Sequence, residues 1–162
     1  MEVFYDANLN EYVLPAGETI HWRISACSLV LSEDGKLLVN IPTWDTLYEL
    51  PGGGIGPHET IIEGMIRECY EETGYRIEAI DNAPLYISEN NFYHRSTQRF
   101  CRALRLFYRA QLISSIQDLH AINSSENPNE ISKVEWIRLS DLNEKNCHVV
   151  EYPGIKLLQK LV

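Results

Sequence analysis

A chain of 162 residues with 44 % hydrophobic and 23 % charged side chains has the balance of a packed globular domain, which argues against a disordered chain. A formal charge of −9 and a pI near 5.0 argue against a nucleic-acid polymer as partner, since such binders carry a basic footprint. An acidic protein still binds phosphates when it recruits metal cations to offset its charge.

No apolar run approaches the roughly 18 residues of a membrane span, so no membrane partner is expected. The start, "MEVFYDANLN", has neither the basic nor the apolar region of a secretory leader, and a cytoplasmic location is the expectation. Cys27, Cys69, Cys101 and Cys147 are scattered with no C-x-x-C pair, which predicts reduced, mostly buried thiols rather than a zinc site or disulfides.

In chain order, residues 21–41 form two β-rich runs around Asp34-Gly35, a hairpin signal because Gly tolerates the positive φ of the turn. "TLYEL" (46–50) is a short strand candidate running into Pro51-Gly52-Gly53-Gly54, which reads as a loop. A helix from about Ile61 to Thr73 follows. Thr60 and Glu63 fit a capping box; Ile62, Met65, Ile66 and Cys69 recur at helical spacing; Gly74 suits a left-handed cap. "RIEAI", "APLYISE" and "QRFCRALRLFYRAQLI" (98–113) read as strands, the last with Phe100, Leu104, Leu106 and Tyr108 on one face and Arg99, Arg105 and Arg109 on the other. Residues 114–130 are loop-like. "KVEWIRL" (133–139) is a strand, "SDLNEKN" begins like a short helix capped by Ser140, and "PGIKLLQKLV" closes the chain as a helix.

The segment "RECYEETGY" (67–75) crowds Glu68, Glu71 and Glu72 onto one helix flank. Unpaired, such carboxylates repel and raise one another's pKa. A magnesium ion turns that repulsion into coordination, because hard cations take carboxylate oxygens. Taken alone, the cluster also fits a solvated helix face. Counting backwards, Arg67 precedes Glu68, Glu59 lies eight positions before Arg67, and Gly53 lies six before Glu59.

The span from Gly53 to Tyr75 therefore reads G-x5-E-x7-R-E-C-x-E-E-x-G-Y. It resembles the signature of the Nudix (MutT-like) hydrolases, G-x5-E-x7-R-E-U-x-E-E-x-G-U, where U is bulky and apolar. Every fixed position matches; Cys69 and Tyr75 stand where aliphatic residues are usual. The resemblance implies a single Nudix domain over 1–162 with its box at 53–75. The implied fold is α/β, a mixed sheet from about 22 to 139 sandwiched between the box helix and a C-terminal helix.

By the same resemblance, Glu68, Glu71, Glu72 and the Gly53 carbonyl hold Mg2+ or Mn2+, while Arg67 pairs with Glu59 and orients Glu68. Glu68 is the first choice of general base, with Glu130 on a later acidic loop as the second and Glu126 as a weaker alternative. The implied reaction is water attack on a nucleoside diphosphate linked to another moiety. A nucleoside triphosphate is favoured, with dinucleoside polyphosphates and nucleotide sugars open. A nucleotide-sensing module without catalysis is the alternative, and it fits less well because all the box carboxylates are present.

For the substrate, Arg95, Arg99, Arg102, Arg105 and Arg109 concentrate five of the chain's 14 Lys and Arg residues beside His94. Arginine suits bidentate phosphate contacts, and Arg99 and Arg105 are the expected contributors. Trp44 and Tyr93 are the aromatics expected to stack on a base. A homodimer is left open.

Overall fold

The computed structural model describes residues 2–6, 8–124 and 130–162. Its elements are β1 (Val3–Tyr5), β2 (Glu11–Val13), β3 (Ile20–Val30), β4 (Lys36–Pro42), β5 (Gly52–Gly54), α1 (Ile61–Thr73), β6 (Ile77–Ala79), β7 (Tyr86–His94), β8 (Arg99–Leu112), α2 (Leu119–Ser124), β9 (Ile131–Arg138), a 3-10 turn (Leu139–Asp141) and α3 (Tyr152–Gln159). A 7-stranded mixed sheet runs β2-β1-β7-β8-β3-β5, with β6 continuing the β7 edge of β8; β4 and β9 form a separate antiparallel pair. β3 and β8 are parallel and in register over their length, from Ile20–Phe100 to Val30–Ala110.

Side chains alternate across these central strands with period 2, and both faces are buried. Ala26, Val30, Leu106, Tyr108 and Ala110 pack with Met65 and Cys69 of α1, whereas Cys27, Leu29 and Phe107 pack with Ile155 and Leu158 of α3. The sheet is thus sandwiched between helices, as the α/β expectation held. The sequence-based reading started the sheet at about residue 22; the structure adds β1 and β2 ahead of it.

α1 spans the expected residues. Thr60 Oγ1 accepts the Glu63 N–H at 3.2 Å and Glu63 Oε2 accepts the Thr60 N–H at 2.7 Å, completing the capping box. Gly74 ends the helix at φ 71°, where its N–H reaches the Tyr70 carbonyl. At the variable apolar positions of the box, Cys69 is fully buried and Tyr75 packs edge-on against Trp136 at 5.7 Å between centroids.

Five local expectations are corrected. The Asp34-Gly35 turn forms, with the Gly35 N–H on the Ser32 carbonyl at 3.0 Å, but after the Leu31–Leu37 bridge β4 leaves β3. β3 has given its two edges to β8 and β5, so β4 pairs with β9 instead. "TLYEL" makes only isolated bridges, Asn40–Glu49 and Tyr48–Cys147. The glycine run beyond it is the strand β5, opposite Ser25, Ala26 and Cys27. Ser140 lies inside the 3-10 turn, bonded to Asp141, and caps no helix. Finally, α2 occupies part of the stretch read as loop.

Candidate functional site

The box loop and α1 meet where β5 lies against β3. A side chain at Gly53 would place its Cβ 2.5 Å from the Glu68 carboxylate carbon, so the loop approaches Glu68 as closely as a glycine permits. Gly53→Ala is therefore expected to displace Glu68 and lower kcat by about 100-fold, the scale of a misplaced reacting group. Steady-state kinetics beside an unchanged melting curve check this.

Arg67 organises the acidic cluster. Its Nε and Nη2 donate to Glu59 at 2.9 and 2.7 Å, its Nη1 to Glu68 and Glu71 at 2.9 and 3.0 Å, and its Nη2 also to the Gly54 carbonyl at 3.1 Å. One planar fork thus ties the loop, the loop acid and two helix carboxylates together. The Arg67 guanidinium, together with the Gly56 N–H at 2.6 Å, holds Glu59 down to about 2. Glu68 moves the other way: burial raises its pKa, with Arg67 opposing.

Glu72 sits deepest. Its Oε2 accepts the Gly52 N–H at 2.9 Å and the Asn40 side-chain amide at 2.8 Å. Burial drives its pKa well above the usual carboxylate range, the Gly52 N–H opposes, and the charges of Glu68, Glu130 and Glu49 add to the rise. Asn40 is 1 % exposed and its Oδ1 is buried with no hydrogen-bond partner among the described residues. A lone amide in the apolar run "KLLVNI" is the sequence signal for this residue, which lies outside the box spacing.

The donor set fits a hard divalent cation. Glu68, Glu71 and Glu72 are carboxylates on one flank and Gly53 brings backbone against Glu68; oxygen-only sets of this kind suit Mg2+ or Mn2+. Like charges forced into burial, as at Glu68 and Glu72, are what a cation relieves. Among the described residues no three acidic, His or Cys groups are already gathered into a closed cage; here Arg67 Nη1 occupies both Glu68 and Glu71. Glu130 lies at the head of β9, its carbonyl accepting the Thr43 N–H at 2.9 Å, and its charge bears on Glu68, Glu72 and Glu49. Glu126 lies outside the described residues.

A second charged group adjoins the loop. Arg105 donates to Glu151 at 2.8 Å; these side chains are 24 % and 5 % exposed. The other Glu151 oxygen takes the Leu50 N–H, just ahead of the glycine run. Glu49 shares this environment: burial first, then the Glu151 charge, push it up to about 8. A carboxyl whose folded pKa exceeds its unfolded value stabilises fully below the unfolded value, near 4.5, and that contribution is lost as pH rises through the folded value. In metal-free protein the melting temperature is thus expected to fall more steeply from about pH 5 to about pH 8 in the wild type than in Glu49→Gln. Parallel melting profiles would contradict this.

The arginine-rich strand is not a wet face. Arg105 lies inside, in line with Ser25 and Gly54 across the sheet; Arg102 pairs with Glu2 and Arg109 with Asp81. Arg99 is exposed but six residues along β8 from Arg105, roughly 20 Å from the box at strand rise. Tyr93 lies at that same end and is stacked on Tyr12 at 3.9 Å. Trp44 is 45 % exposed, in the segment between β4 and the glycine run. The structure thus gathers Gly53, Glu59, Arg67, Glu68, Glu71 and Glu72, sets Glu130 within their electrostatic reach, and separates Arg99 and Tyr93 from them.

Comparison with known proteins agrees with this geometry. A family model described as NUDIX domain matches residues 21–158. A MutT-like protein of Streptomyces ambofaciens is 28 % identical over 138 residues, 85 % of this chain and 76 % of the relative. A putative 8-oxo-dGTP diphosphatase of Bacillus subtilis (strain 168) is 41 % identical over 51 residues, covering 29 % of this chain and 32 % of that protein. Among solved structures, a NUDIX hydrolase from Nitrosomonas europaea superposes with a TM-score of 0.65 at 17 % identity, over 85 % of this chain and 88 % of its own. With the box complete, its arginine fork formed and the family model matched over most of the length, the chain belongs to the NUDIX family of pyrophosphohydrolases.

Proposed function

We propose that this protein, read as one Nudix domain over its whole length, hydrolyses a phosphorus anhydride in a nucleoside diphosphate linked to another moiety, with nucleoside triphosphates as the favoured substrates. The observation that carries the reading is the Arg67 fork, which holds Glu59, Glu68, Glu71 and the Gly54 carbonyl in one constellation against Gly53. The name of the Bacillus subtilis relative, a putative 8-oxo-dGTP diphosphatase, supports the triphosphate preference.

Glu68, Glu71, Glu72 and the Gly53 carbonyl are the groups that hold the divalent cation, Mg2+ or Mn2+. When bound, the cation neutralises the diphosphate and lowers the pKa of water. Arg67 and Glu59 touch no substrate; they fix the Glu68 carboxylate and the loop, the outer-layer orientation that metal sites require. Asn40 and the Gly52 N–H fix Glu72. Glu68 is the first candidate to take the proton of the attacking water and Glu130 the second. A carboxylate engaged by a cation is a weak base, and the charge of Glu130 reaches both Glu68 and Glu72.

The reading is tested by incubating the protein with ordinary and oxidised nucleoside triphosphates, nucleotide sugars and dinucleoside polyphosphates, with Mg2+ or with chelator, and following phosphate and pyrophosphate release. Triphosphate turnover that needs the metal is expected. Faster turnover of a nucleotide sugar would replace the substrate choice, and no turnover of any compound would overturn the reaction.

A further inference from the structure

A hollow of about 410 Å3 lies outside the box, walled by three separate stretches of chain: Leu9 after β1, Trp44 and Asp45 after β4, and Glu144, His148 and Val149 ahead of α3. Its apolar wall is exposed, with Trp44, Leu9 and Val149 at 45, 57 and 60 %. Its polar wall contains an anomaly. His148 is fixed through its backbone, donating to the Tyr48 carbonyl at 3.0 Å, yet its ring Nδ1 is buried with no hydrogen-bond partner among the described residues. A buried nitrogen without a partner is costly and calls for an explanation, and a ligand entering the hollow supplies one. Burial, reinforced by the charge of Arg105 and opposed by that of Asp45, lowers the pKa of this imidazole, and in the neutral ring Nδ1 accepts or donates according to tautomer.

The chemistry of the walls narrows the ligand. A half-exposed indole beside aliphatic side chains suits a planar aromatic ring. Asp45 and Glu144 are acceptors when ionised and suit a ring carrying amino groups. Asp45 Oδ1 takes the Thr46 and Leu47 N–H groups at 2.6 and 3.3 Å, which fixes the carboxylate while leaving Oδ2 outside that turn. The position also fits. Trp44 is four residues beyond Asn40, whose side chain holds Glu72, so the two lie at most about 14 Å apart along the chain.

We propose that this hollow seats the nucleobase of the substrate, with Trp44 against the ring face and His148 and Asp45 at its edge, and that it selects amino-bearing bases over uracil. The inference rests on the nucleotide reading of the box and adds the element the box lacks, a means of choosing among nucleotides. Base stacking on an aromatic side chain is worth several-fold to more than a hundredfold in binding. The wild-type kcat/KM for adenine, guanine or cytosine triphosphates is therefore expected to exceed that for UTP by about tenfold or more. Trp44→Ala should raise KM about tenfold with a smaller fall in kcat, and His148→Ala should shrink the preference over UTP to about twofold.

A second measurement is independent of turnover and of any variant at the pocket. In a Trp22→Phe/Trp136→Phe background, AMP, GMP or CMP should quench the remaining Trp44 fluorescence at lower concentration than UMP does. Equal quenching by all four nucleotides, or kinetics unchanged in folded Trp44→Ala and His148→Ala, would overturn the pocket. Absence of turnover with base-selective quenching intact would instead remove the hydrolysis reading and leave the pocket standing.

Discussion

Glu72→Gln is expected to lower kcat by on the order of 10³-fold, the scale on which a preorganised electrostatic element at a reacting centre is lost, with Glu68→Gln close behind. The fold should survive both. Glu72 Oε2 accepts the Gly52 N–H and the Asn40 amide, and a Gln side-chain oxygen can take the same two bonds. What the substitution removes is a negative charge in a buried setting, where charge costs the fold and serves only what it binds. Metal-free Glu72→Gln should therefore be at least as stable as the wild type at neutral pH, while catalysis collapses. Steady-state kinetics and thermal melts on the same preparations check both halves, and near-full activity in both variants would sink the assignment of ligands.

The second large effect falls on stability. Arg105→Ala leaves Glu151, 5 % exposed in the native pair, as a buried carboxylate whose remaining side-chain partner among the described residues is the Leu50 N–H. Breaking one half of a buried pair costs about 3–5 kcal/mol. Because Leu50 leads into Gly52–Gly54, loosening Glu151 also reaches the box loop. The double variant Arg105→Met/Glu151→Gln removes both charges and keeps an acceptor for Leu50, so it should recover most of the loss. A double-mutant cycle by denaturant unfolding measures this, and a loss below about 1 kcal/mol for Arg105→Ala would show the pair to be solvent-screened.

The parts of this molecule that were legible in the sequence are those whose cause is local. The α1 boundaries follow from Thr60, Glu63 and Gly74, each acting on backbone within one helical turn. The spacing from Gly53 through Glu59 and Arg67 to Glu72 then carries the site, because a fixed helix and a short loop leave those side chains few ways to be arranged. The glycine run is the instructive exception. Locally Gly52–Gly54 reads as a loop; it becomes β5 only because Ala26 and Cys27, far back in the chain, present a strand edge that side chains would hold off.

Distance in sequence also hid the rest. β1 and β2 are three residues each, and β1 depends on pairing with β7, Tyr5 beside Phe92. The strand period correctly placed Arg105 opposite Leu104 and Leu106 but gave no sign that its face is covered by α3, whose N-cap Glu151 reaches it from 46 residues away. The hollow around Trp44 joins three stretches between Leu9 and Val149, and no one of them carries a motif. The proposed substrate side accordingly follows the segment after Asn40 rather than the arginine-rich strand, where Arg99 and Tyr93 lie far from the box.

The central claim is that Glu68, Glu71 and Glu72 with the Gly53 carbonyl hold the divalent cation on which hydrolysis depends. Titration of the protein with Mn2+, followed by the electron paramagnetic resonance signal of the free ion, tests it without reference to any substrate. The account predicts saturable Mn2+ binding to the wild type, competed by Mg2+ and weakened at least tenfold in Glu68→Gln and Glu72→Gln, the range in which metal-site substitutions act. Mn2+ binding of equal affinity in the wild type and both variants would contradict it.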